Sequence, residues 1–421
     1  MNNQINKLIP ELRFPEFKNK EEWESSNIGK VGKFYYGKSA PKWSLSPDAP
    51  TLCVRYGELY TKFDTVISEI KSRTNIDPSD LKFSKGGEIL VPRVGEVARD
   101  FASHCCYLPF PNIAIGEMIS VYETEEYGIF YTYYFRTLEK EFARVVEGQN
   151  VKNLYYVNLE PIAIGKPVIE EQLKIADILS SLDEVITANI NRLEILKIYK
   201  KGLMQNLFPQ EGEKVPKLRF KEFERNGEWV EKKIKNIFSI FQGFAFSSDD
   251  SVSSGIRWLK IADVGIQKMK EENPSFLPLN FKKEYERFLV KNGDYVLALT
   301  RPILNMELKI APVDDTFHNA LLNQRVGKIV SSNCVRFIYY LLHTKKMIIN
   351  INNNIAGNEP PNLSFQQIEN ILINIPLDIE EQTKIAETLS SIDNLIKEQT
   401  EKIEQLKSHK KGLMQGLFPK I

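Results

Sequence analysis

Two short stretches contain residue types that nucleases and methyltransferases use, although neither stretch has the full pattern. Pro47-Asp48 followed by Glu69-Ile70-Lys71 fits a loose nuclease pattern, PD and then ExK. That pattern is so permissive that we interpret these residues as parts of two unrelated charged loops. Residues 358–362 read NEPPN and faintly match an adenine-methyltransferase tetrapeptide. A glutamate interrupts the motif and no aromatic residue follows to stack a flipped base, so we reject it.

Cofactor and metal patterns point the same way. The sequence has no Gly-rich loop suited to S-adenosylmethionine and no GxxxxGK[ST] phosphate-binding loop. The histidines are scattered, without the spacing of metal ligands: His104, His318, His343 and His409. The sequence therefore predicts no catalytic residue, no metal site and no cofactor in this chain.

Composition narrows the class of protein further. The 421 residues carry a formal net charge of +1, so contact with nucleic acid needs local basic patches or a basic partner. The four cysteines have no CxxC spacing, and the adjacent Cys105 and Cys106 are poorly placed to bridge each other, so we expect a reducing compartment. The N-terminus lacks a signal-peptide core, and no apolar run reaches the roughly 18 residues of a membrane span. We expect a cytoplasmic protein with no membrane association.

A long helix that occurs twice dominates the chain. Residues 169–209 and 379–419 align at a shift of 210 residues without a gap, and 24 of the 41 pairs are identical. In both copies apolar residues alternate spacings of three and four, which is typical of a coiled-coil seam. We predict that the two helices pack against each other through these seam residues: Ile175, Leu179, Leu182, Ile186, Leu193, Leu196, Leu203, Leu207, Ile385, Leu389, Ile392, Ile396, Ile403, Leu406, Leu413 and Leu417.

Polar residues interrupt both seams at two equivalent positions. Asn189 corresponds to Gln399, and Lys200 corresponds to Lys410. A polar seam residue costs stability but fixes the register of the pairing.

The ends of the two helices are less well determined. Gly202 and Gly412 either end their helices, or they allow another helix to approach closely while each helix runs on to the Phe-Pro stop. At the start of the second copy, Asp378 and Glu381 match a capping box.

The segment that precedes each globular half is duplicated as well. Residues 10–17 read PELRFPEF, residues 216–223 read PKLRFKEF, and Trp23 recurs as Trp229. Between this lead-in and the helix, each half retains a glycine, Gly37 or Gly243, and short β-rich runs. We predict an α+β protein with a pseudo-two-fold internal repeat, in which two long helices pack together as a coiled coil and separate two mixed α/β domains. The predicted segments are residues 1–165, 166–210, 211–375 and 376–421.

These motifs together resemble the specificity (S) subunits of Type I restriction–modification systems, across the whole chain. The resemblance rests on the lead-in Pro-x-Leu-Arg-Phe-x-x-Phe and on two helix motifs. These are Glu-Glu-Gln-x-x-Ile-Ala-x-x-Leu-Ser-Ser-x-Asp, from Glu170 and Glu380, and Lys-Lys-Gly-Leu-Met-Gln-x-Leu-Phe-Pro, from Lys200 and Lys410. The first domain ends in Ile-Gly-Lys-Pro-Val at residues 164–168, which departs from the Ile-x-Ile-Pro-Leu of residues 373–377. That departure leaves the edge of the first target-recognition domain open.

The resemblance implies a non-catalytic DNA-specificity subunit with a role in bacterial defence. Each target-recognition domain would read one half of a bipartite, asymmetric site in double-stranded DNA. The two helices would form an antiparallel coiled coil that sets the spacer. Two modification subunits, which use S-adenosylmethionine to methylate adenine, would dock on these helices. Restriction subunits, which use ATP and magnesium, would join that complex.

Candidate DNA contacts follow from residue type and loop position. Arg or Lys reads guanine, Asn or Gln reads adenine, and any basic side chain can contact phosphate. We expect contacts from basic and amide residues beside Gly- or Pro-marked loops, with Tyr36 and Trp43 on the same surface. These residues are Lys38, Lys42, Arg55, Lys85 and Arg93 in the first domain, and Arg257, Lys260, Arg301, Asn323, Gln324 and Arg325 in the second.

Two other functions are weighed against this one. A fused nuclease or methyltransferase with its own recognition domains is disfavoured by the missing cofactor motifs. A purely structural or dimerising coiled coil is disfavoured by two large, diverged globular halves.

Overall fold

Each repeat folds around the start of the long helix that follows it. The computed structural model describes residues 8–355 and 360–420, and these divide into two compact units. The first unit contains residues 8–190 and 401–420, and the second contains residues 191–355 and 360–400. Each unit therefore combines one globular domain with the first half of the helix that follows it and the second half of the other helix. The serial boundaries at residues 165, 210 and 375 stay a prediction.

The first unit contains both strands and helices. Its strands are β1 Glu24–Asn27, β2 Gly32–Tyr36, β3 Thr51–Val54, β4 Arg73–Thr74, β5 Phe83–Lys85, β6 Glu88–Pro92, β7 Val94–Gly95, β8 Cys106–Leu108, β9 Pro111–Ile115, β10 Ile119–Thr124, β11 Lys152–Asn153 and β12 Ala163–Lys166. Its helices are α1 Ile28–Val31, α2 Tyr56–Thr61, α3 Asp100–Ser103, α4 Gly128–Thr137, α5 Glu139–Arg144 and α6 Tyr156–Leu159, followed by the long helix α7 Ile169–Asn206.

Two four-stranded sheets form most of the first globular domain. One, which we call the main sheet, has the order β2-β10-β6-β8 and is antiparallel throughout. The other has the order β4-β3-β9-β5, and its central strands β3 and β9 are parallel. A separate antiparallel pair, β1 with β12, joins the segment after the lead-in to the segment before α7.

The second unit contains its own set of elements. Its strands are β13 Val230–Lys233, β14 Ser239–Gln242, β15 Ile256–Leu259, β16 Phe276–Leu277, β17 Tyr295–Ala298, β18 Ile303–Leu304, β19 Glu307–Leu308, β20 Ile310–Pro312, β21 Leu321–Leu322, β22 Val326–Val330 and β23 Leu372–Ile375. Its helices are α8 Phe281–Glu284, α9 Val335–Leu342, α10 Lys345–Ile355, α11 Phe365–Ile368 and the long helix α12 Ile379–Leu417, whose second half belongs to the first unit.

The second globular domain repeats the topology of the first. Its main sheet has the order β14-β22-β17-β20 and is antiparallel. Its β15 and β21 are parallel, as β3 and β9 are, and its β13 pairs with β23 as β1 pairs with β12. The predicted mixed α/β class and internal repeat are confirmed, although the two globular sequences barely resemble each other.

Aromatic residues form the core beneath the main sheet of the first unit. Residues 127–135 read YGIFYTYYF, an aromatic run; Tyr127 precedes α4 and the other residues lie within it. Phe130 and Tyr134 of α4 contact Trp23. Phe418, just beyond α12, stacks on Tyr134 with ring centroids 4.9 Å apart. The core of this unit is therefore completed by a residue beyond position 400.

The second unit closes in the same way. Phe208, just beyond α7, contacts Trp229 and Phe337 with ring centroids 6.2 Å and 5.4 Å apart. Residues 337–351 lie in α9 and α10, which are separated at His343 and Thr344.

Gly202 and Gly412 lie inside the long helices, since α7 continues to Asn206 and α12 to Leu417. A Cβ atom at Gly202 or Gly412 would meet no atom within 4 Å. Neither glycine therefore ends its helix, and neither is needed for packing inside the described structure.

The start of α12 differs from the predicted capping box. The Asp378 side chain accepts a hydrogen bond from the Glu380 amide at 2.8 Å, as an N-cap does. Glu381, the expected partner in the box, instead uses both carboxylate oxygens to bind Arg219.

Every predicted seam residue is buried or partly buried. Leu179 and Leu389 are fully buried, and Ile175 and Ile385 nearly so. Other seam residues, such as Leu196 and Leu413, are only partly covered.

Candidate nucleic-acid interface and domain–helix junctions

The repeated lead-in binds the repeated helix through a buried ion pair. Arg13 donates two hydrogen bonds of 2.8 Å to the Glu171 carboxylate, and Arg219 does the same with Glu381 at 2.9 and 2.8 Å. These hydrogen bonds raise the pKa of Arg13 above its usual value. In the second unit Trp229 Nε1 also donates to Glu381 at 3.0 Å. We call these contacts, with the glutamine and aspartate contacts below, the domain–helix junctions.

The glutamine of each Glu-Glu-Gln motif holds the N-terminus of a buried helix. The Tyr127 amide, before α4, donates to Gln172 Oε1 at 3.1 Å. The Cys334 amide, before α9, donates to Gln382 Oε1 at 3.0 Å. Because the amides at a helix start lack partners within the helix, each glutamine supplies an acceptor that the globular domain needs.

The aspartate of each Leu-Ser-Ser-x-Asp motif binds a seam lysine of the other helix. In the first unit Asp183 pairs with Lys410 and accepts a hydrogen bond of 2.7 Å from the Tyr133 hydroxyl. Burial lowers the pKa of Lys410, while Asp183 opposes that shift.

The second unit contains the equivalent triad. Asp393 pairs with Lys200 at 2.5 Å and accepts a 2.7 Å hydrogen bond from Tyr340. The lysines that interrupt both predicted seams are therefore ion-pair partners of the opposite helix.

Beside the Arg13–Glu171 pair, the Leu12 amide donates to the Gly416 carbonyl at 2.8 Å, and in the second unit the Leu218 amide donates to the Asn206 carbonyl at 2.9 Å. In each unit the start of one helix therefore lies near the end of the other, so the two helix segments run antiparallel.

A glycine bend follows the first strand of each main sheet. Gly37 donates to the Ile119 carbonyl and Gly243 to the Val326 carbonyl, each at 3.1 Å. A Cβ at Gly37 would lie 2.2 Å from the Gly116 oxygen, and one at Gly243 would lie equally close to a carbonyl. Only glycine fits these bends, and the loops that leave them differ between the two domains.

Three predicted DNA contacts in the first domain are exposed lysines. Lys38 lies 3.3 Å from Asp80, and Lys85 lies 2.9 Å from Glu123. Lys42 is exposed in the loop after the Gly37 bend. All three can reach a ligand, since exposed ion pairs contribute little and exchange readily.

Two predicted arginines of this domain have structural contacts instead. Arg55 donates from Nε to the Ala40 carbonyl at 3.1 Å. The Arg93 guanidinium lies 4.5 Å from the Tyr36 ring centroid and 5.3 Å from that of Tyr155, and its Nε is buried without a hydrogen-bond partner among the described residues. These contacts favour roles in loop support and aromatic packing.

In the second domain Arg257 is almost fully enclosed. It pairs with Asp263 at 2.8 Å and lies 4.7 Å from the Phe317 ring centroid. Lys260 lies 4.0 Å from the centroid of Trp258. The geometry therefore favours a structural role for Arg257, while Lys260 is partly exposed.

The stretch at 322–325 is less open than its composition suggests. Asn323 is buried, and its Oδ1 accepts a hydrogen bond of 3.0 Å from the Arg325 amide. The Gln324 amide donates to Phe244 O at 2.9 Å. Arg325 and Arg301 are exposed, so these two are the candidates that remain free to contact DNA.

Comparison with known proteins identifies the family. Residues 102–197 and 226–408 match the family described as Type I restriction modification DNA specificity domain, which is more than half of the chain. The specificity subunit of the Type I restriction enzyme MjaVIII from Methanocaldococcus jannaschii is 33% identical over 424 residues, covering 97% of this chain and 93% of that protein. The chain belongs to the Type I restriction enzyme specificity subunits.

Solved structures show the same fold. A crystal structure of the S subunit of a Type I restriction–modification system from M. genitalium matches 98% of this specificity subunit with a TM-score of 0.62 and 14% identity, covering all of that chain. A second chain, from a study of assembly and conformational transition of the Type I system, matches 94% with a TM-score of 0.54, also at 14% identity, and 97% of that chain is covered.

The junction residues of this specificity subunit were not singled out from its sequence. Arg13 and Glu171 are 158 positions apart, so no local spacing links them. The available signal was the repetition itself, because Arg219 and Glu381, which are 162 positions apart, occupy the same places in the second lead-in and the second helix motif.

The structure describes the nuclease-like string and part of the methyltransferase-like string. Glu69 and Lys71 form an exposed pair at 3.0 Å, and Asn358 and Glu359 lie outside the described residues. Across residues 8–355 and 360–420, no three His, Cys, Asp or Glu side chains are grouped closely enough to hold a metal ion. In the same residues, no helix is long and apolar enough to cross a bilayer.

Proposed function

We propose that this specificity subunit reads a bipartite, asymmetric site in double-stranded DNA, with one half-site for each globular domain. One observation carries the proposal: the two domains share their topology and junctions but not their loops. Lysines follow the Gly37 bend, whereas Phe244 and Phe246 follow the Gly243 bend. A common scaffold with different loops suits two readers of different base sequences.

The assembly belongs to the same proposal. The two long helices set the distance between half-sites and dock two modification subunits, which bind S-adenosylmethionine and methylate adenine. Restriction subunits that use ATP and magnesium complete the complex in the cytoplasm. The chain itself holds no cofactor and catalyses no step.

An exchange of one domain tests the reading of half-sites. Residues 230–375 begin at β13 and end at β23, which pair with each other, so an exchange there retains Arg219 and Glu381. We expect that replacing this segment with that of another family member changes only one half of the methylated site. The matched control exchanges residues 24–166, bounded by β1 and β12, and should change the other half. A swap that alters both halves together would contradict independent reading.

The rival function, an enzyme with its own catalytic centre, has a direct test. The purified chain with S-adenosylmethionine and DNA should transfer no methyl group and cut no strand. Adding the modification subunits should restore methylation. Robust methylation by the chain alone would overturn the assignment.

A further inference from the structure

Trp43 differs from every other tryptophan of the protein. Its side chain is 76% exposed, whereas Trp23, Trp229 and Trp258 are 2–4% exposed. It lies in a short 3₁₀ turn, Lys42–Ser44, between β2 and β3. Tryptophan is highly buried on average, so an indole this exposed is unusual in a folded domain.

The backbone beneath Trp43 is held in place. Ser44 is fully buried, and its hydroxyl hydrogen-bonds the Thr74 hydroxyl at 2.7 Å. The Asn75 amide donates to the Ser44 carbonyl at 3.0 Å. On the other side of the turn, Ala40 is buried and its carbonyl accepts the 3.1 Å hydrogen bond from Arg55.

The approach to the turn also has an unusual conformation. Ser39 and Ala40 both have left-handed φ angles, 67° and 62°. Such angles are uncommon outside glycine and persist where the surrounding structure fixes them, often at functional loops. Because the backbone of this turn is already fixed, Trp43 would lose less conformational entropy on binding.

The charge of this loop selects the ligand. Residues 37–46 contain two lysines, Lys38 and Lys42, and no acidic residue. Lys38 has Asp80 at 3.3 Å, but both side chains are more than half exposed, so the pair is weak. An apolar indole flanked by lysines matches a polyanion with flat apolar faces, which is the chemistry of nucleic acid.

The second domain shows that the scaffold does not require this tryptophan. After its glycine bend, Phe244 packs on Phe246 and on Tyr285, with ring centroids 5.0 Å and 4.8 Å apart. Phe246 is only 6% exposed. Phe244 is 36% exposed, but its ring packs on aromatic neighbours, whereas Trp43 is 76% exposed.

We propose that Trp43 packs against the bases of the half-site read by the first domain, while Lys42 contacts an adjacent phosphate. The inference rests on the proposed function and assigns a base-contacting residue within it. The exposed indole would insert between two base pairs and enlarge the contact between the protein and the DNA, as apolar wedge residues do in other DNA-binding proteins.

The four tryptophans allow a direct measurement. The full chain is labelled with 5-fluorotryptophan and assembled with unlabelled modification subunits, and its ¹⁹F NMR spectrum is recorded with and without duplex DNA carrying the mapped site. The Trp43→Phe variant assigns the Trp43 signal. Before DNA is added, that signal should show the largest H₂O/D₂O solvent shift, and DNA should move it and remove the solvent shift. Signals from Trp23, Trp229 and Trp258 are internal controls.

Binding measurements complete the test. Trp43→Ala should weaken binding of the specific duplex by roughly 5- to 100-fold, the range expected for loss of one aromatic–base contact. Trp43→Phe should retain most of the affinity. Lys42→Ala should reduce the salt dependence of binding by about one phosphate.

The outcomes separate this inference from the proposed function. If the complex binds its site but the Trp43 signal keeps its position and solvent shift, the inference is wrong and the proposed function stands. If that signal changes on assembly with modification subunits and not on DNA addition, Trp43 is a subunit contact and the inference is again wrong. If no duplex binds at all, the proposed function itself fails.

Discussion

Glu171 and Glu381 are buried carboxylates, and each is paired with one arginine. The side chains of both glutamates are about 1% exposed, and those of Arg13 and Arg219 are 7% and 8% exposed. A buried pair gains little over apolar packing, but breaking it leaves a charge without a partner. These residues therefore fix where the lead-in meets the helix more than they add net stability.

Removing one partner of such a pair should be costly. We expect Arg219→Ala to reduce the free energy of unfolding of the second unit by roughly 3–5 kcal/mol, because Glu381 would stay buried and unpaired. Urea unfolding of the variant measures the change. The matched control is Lys384→Ala, which removes an exposed pair with Glu222 at 3.5 Å and should cost less than about 1 kcal/mol. Equal effects for the two variants would contradict the junction role.

His343 should make stability depend on pH. Burial, helped by nearby Lys200, lowers its pKa to about 3, whereas the unfolded residue titrates near 6.5. As pH falls from about 6.5 toward 3, the unfolded chain binds a proton that the folded chain does not, so stability falls. We expect His343→Gln to reduce the loss of stability between about pH 7 and pH 5 by up to about 2 kcal/mol in urea unfolding. The same pH dependence in both proteins would contradict this.

At the scale of elements, the two helical glycines are open positions. Since a Cβ at Gly202 or Gly412 meets nothing within 4 Å, alanine should stabilise each helix by roughly 0.5–1 kcal/mol. Thermal or urea unfolding of the isolated chain measures this gain. The second measurement is assembly with modification subunits. If those subunits approach the helix closely there, the same variants should weaken assembly, and Gly57→Ala, at another open position in α2, should not.

The long helices and the repeat could be predicted because their signals are local. Spacings of three and four from Ile175 to Leu207 identify the buried stripe, and identity at a fixed shift identifies the second copy. The strands of each domain are short and pair across long separations, as Cys53 does with Ala114, so their order is not visible in the sequence.

The site was predictable only in part, for a similar reason. Lys42 was chosen because it lies in a loop, and it is exposed. Residue type could not distinguish it from Arg257, which pairs with Asp263 and is largely buried. The contact of Arg93 with two tyrosine rings was likewise invisible, because the strands that bring them together are distant in sequence.

At the scale of the whole molecule, helix length is the quantity to vary. Seven residues inserted after Asn189, with seven more after Gln399, keep the apolar stripe in phase and lengthen both helices by about 10 Å, or about three base pairs. If the helices set the spacer, methylation mapping should show the same half-sites separated by a longer gap. An insertion of two residues in each copy turns the apolar stripe by roughly 200°, so this control disturbs the phase and should lose activity. An active seven-residue variant with an unchanged gap would mean that the helices only assemble subunits.

The division of the chain into units also sets an order of synthesis. The ribosome makes residues 24–166 early, but the core around Trp23 and Tyr134 needs Phe418, which is translated after the whole of the second unit. The second unit needs only residues 191–400. The domain whose translation begins first is therefore the one whose folding must finish later, and until then its aromatic core has an uncovered side. A nascent or truncated chain should depend on chaperones at this one domain, while the other has all the residues that it requires.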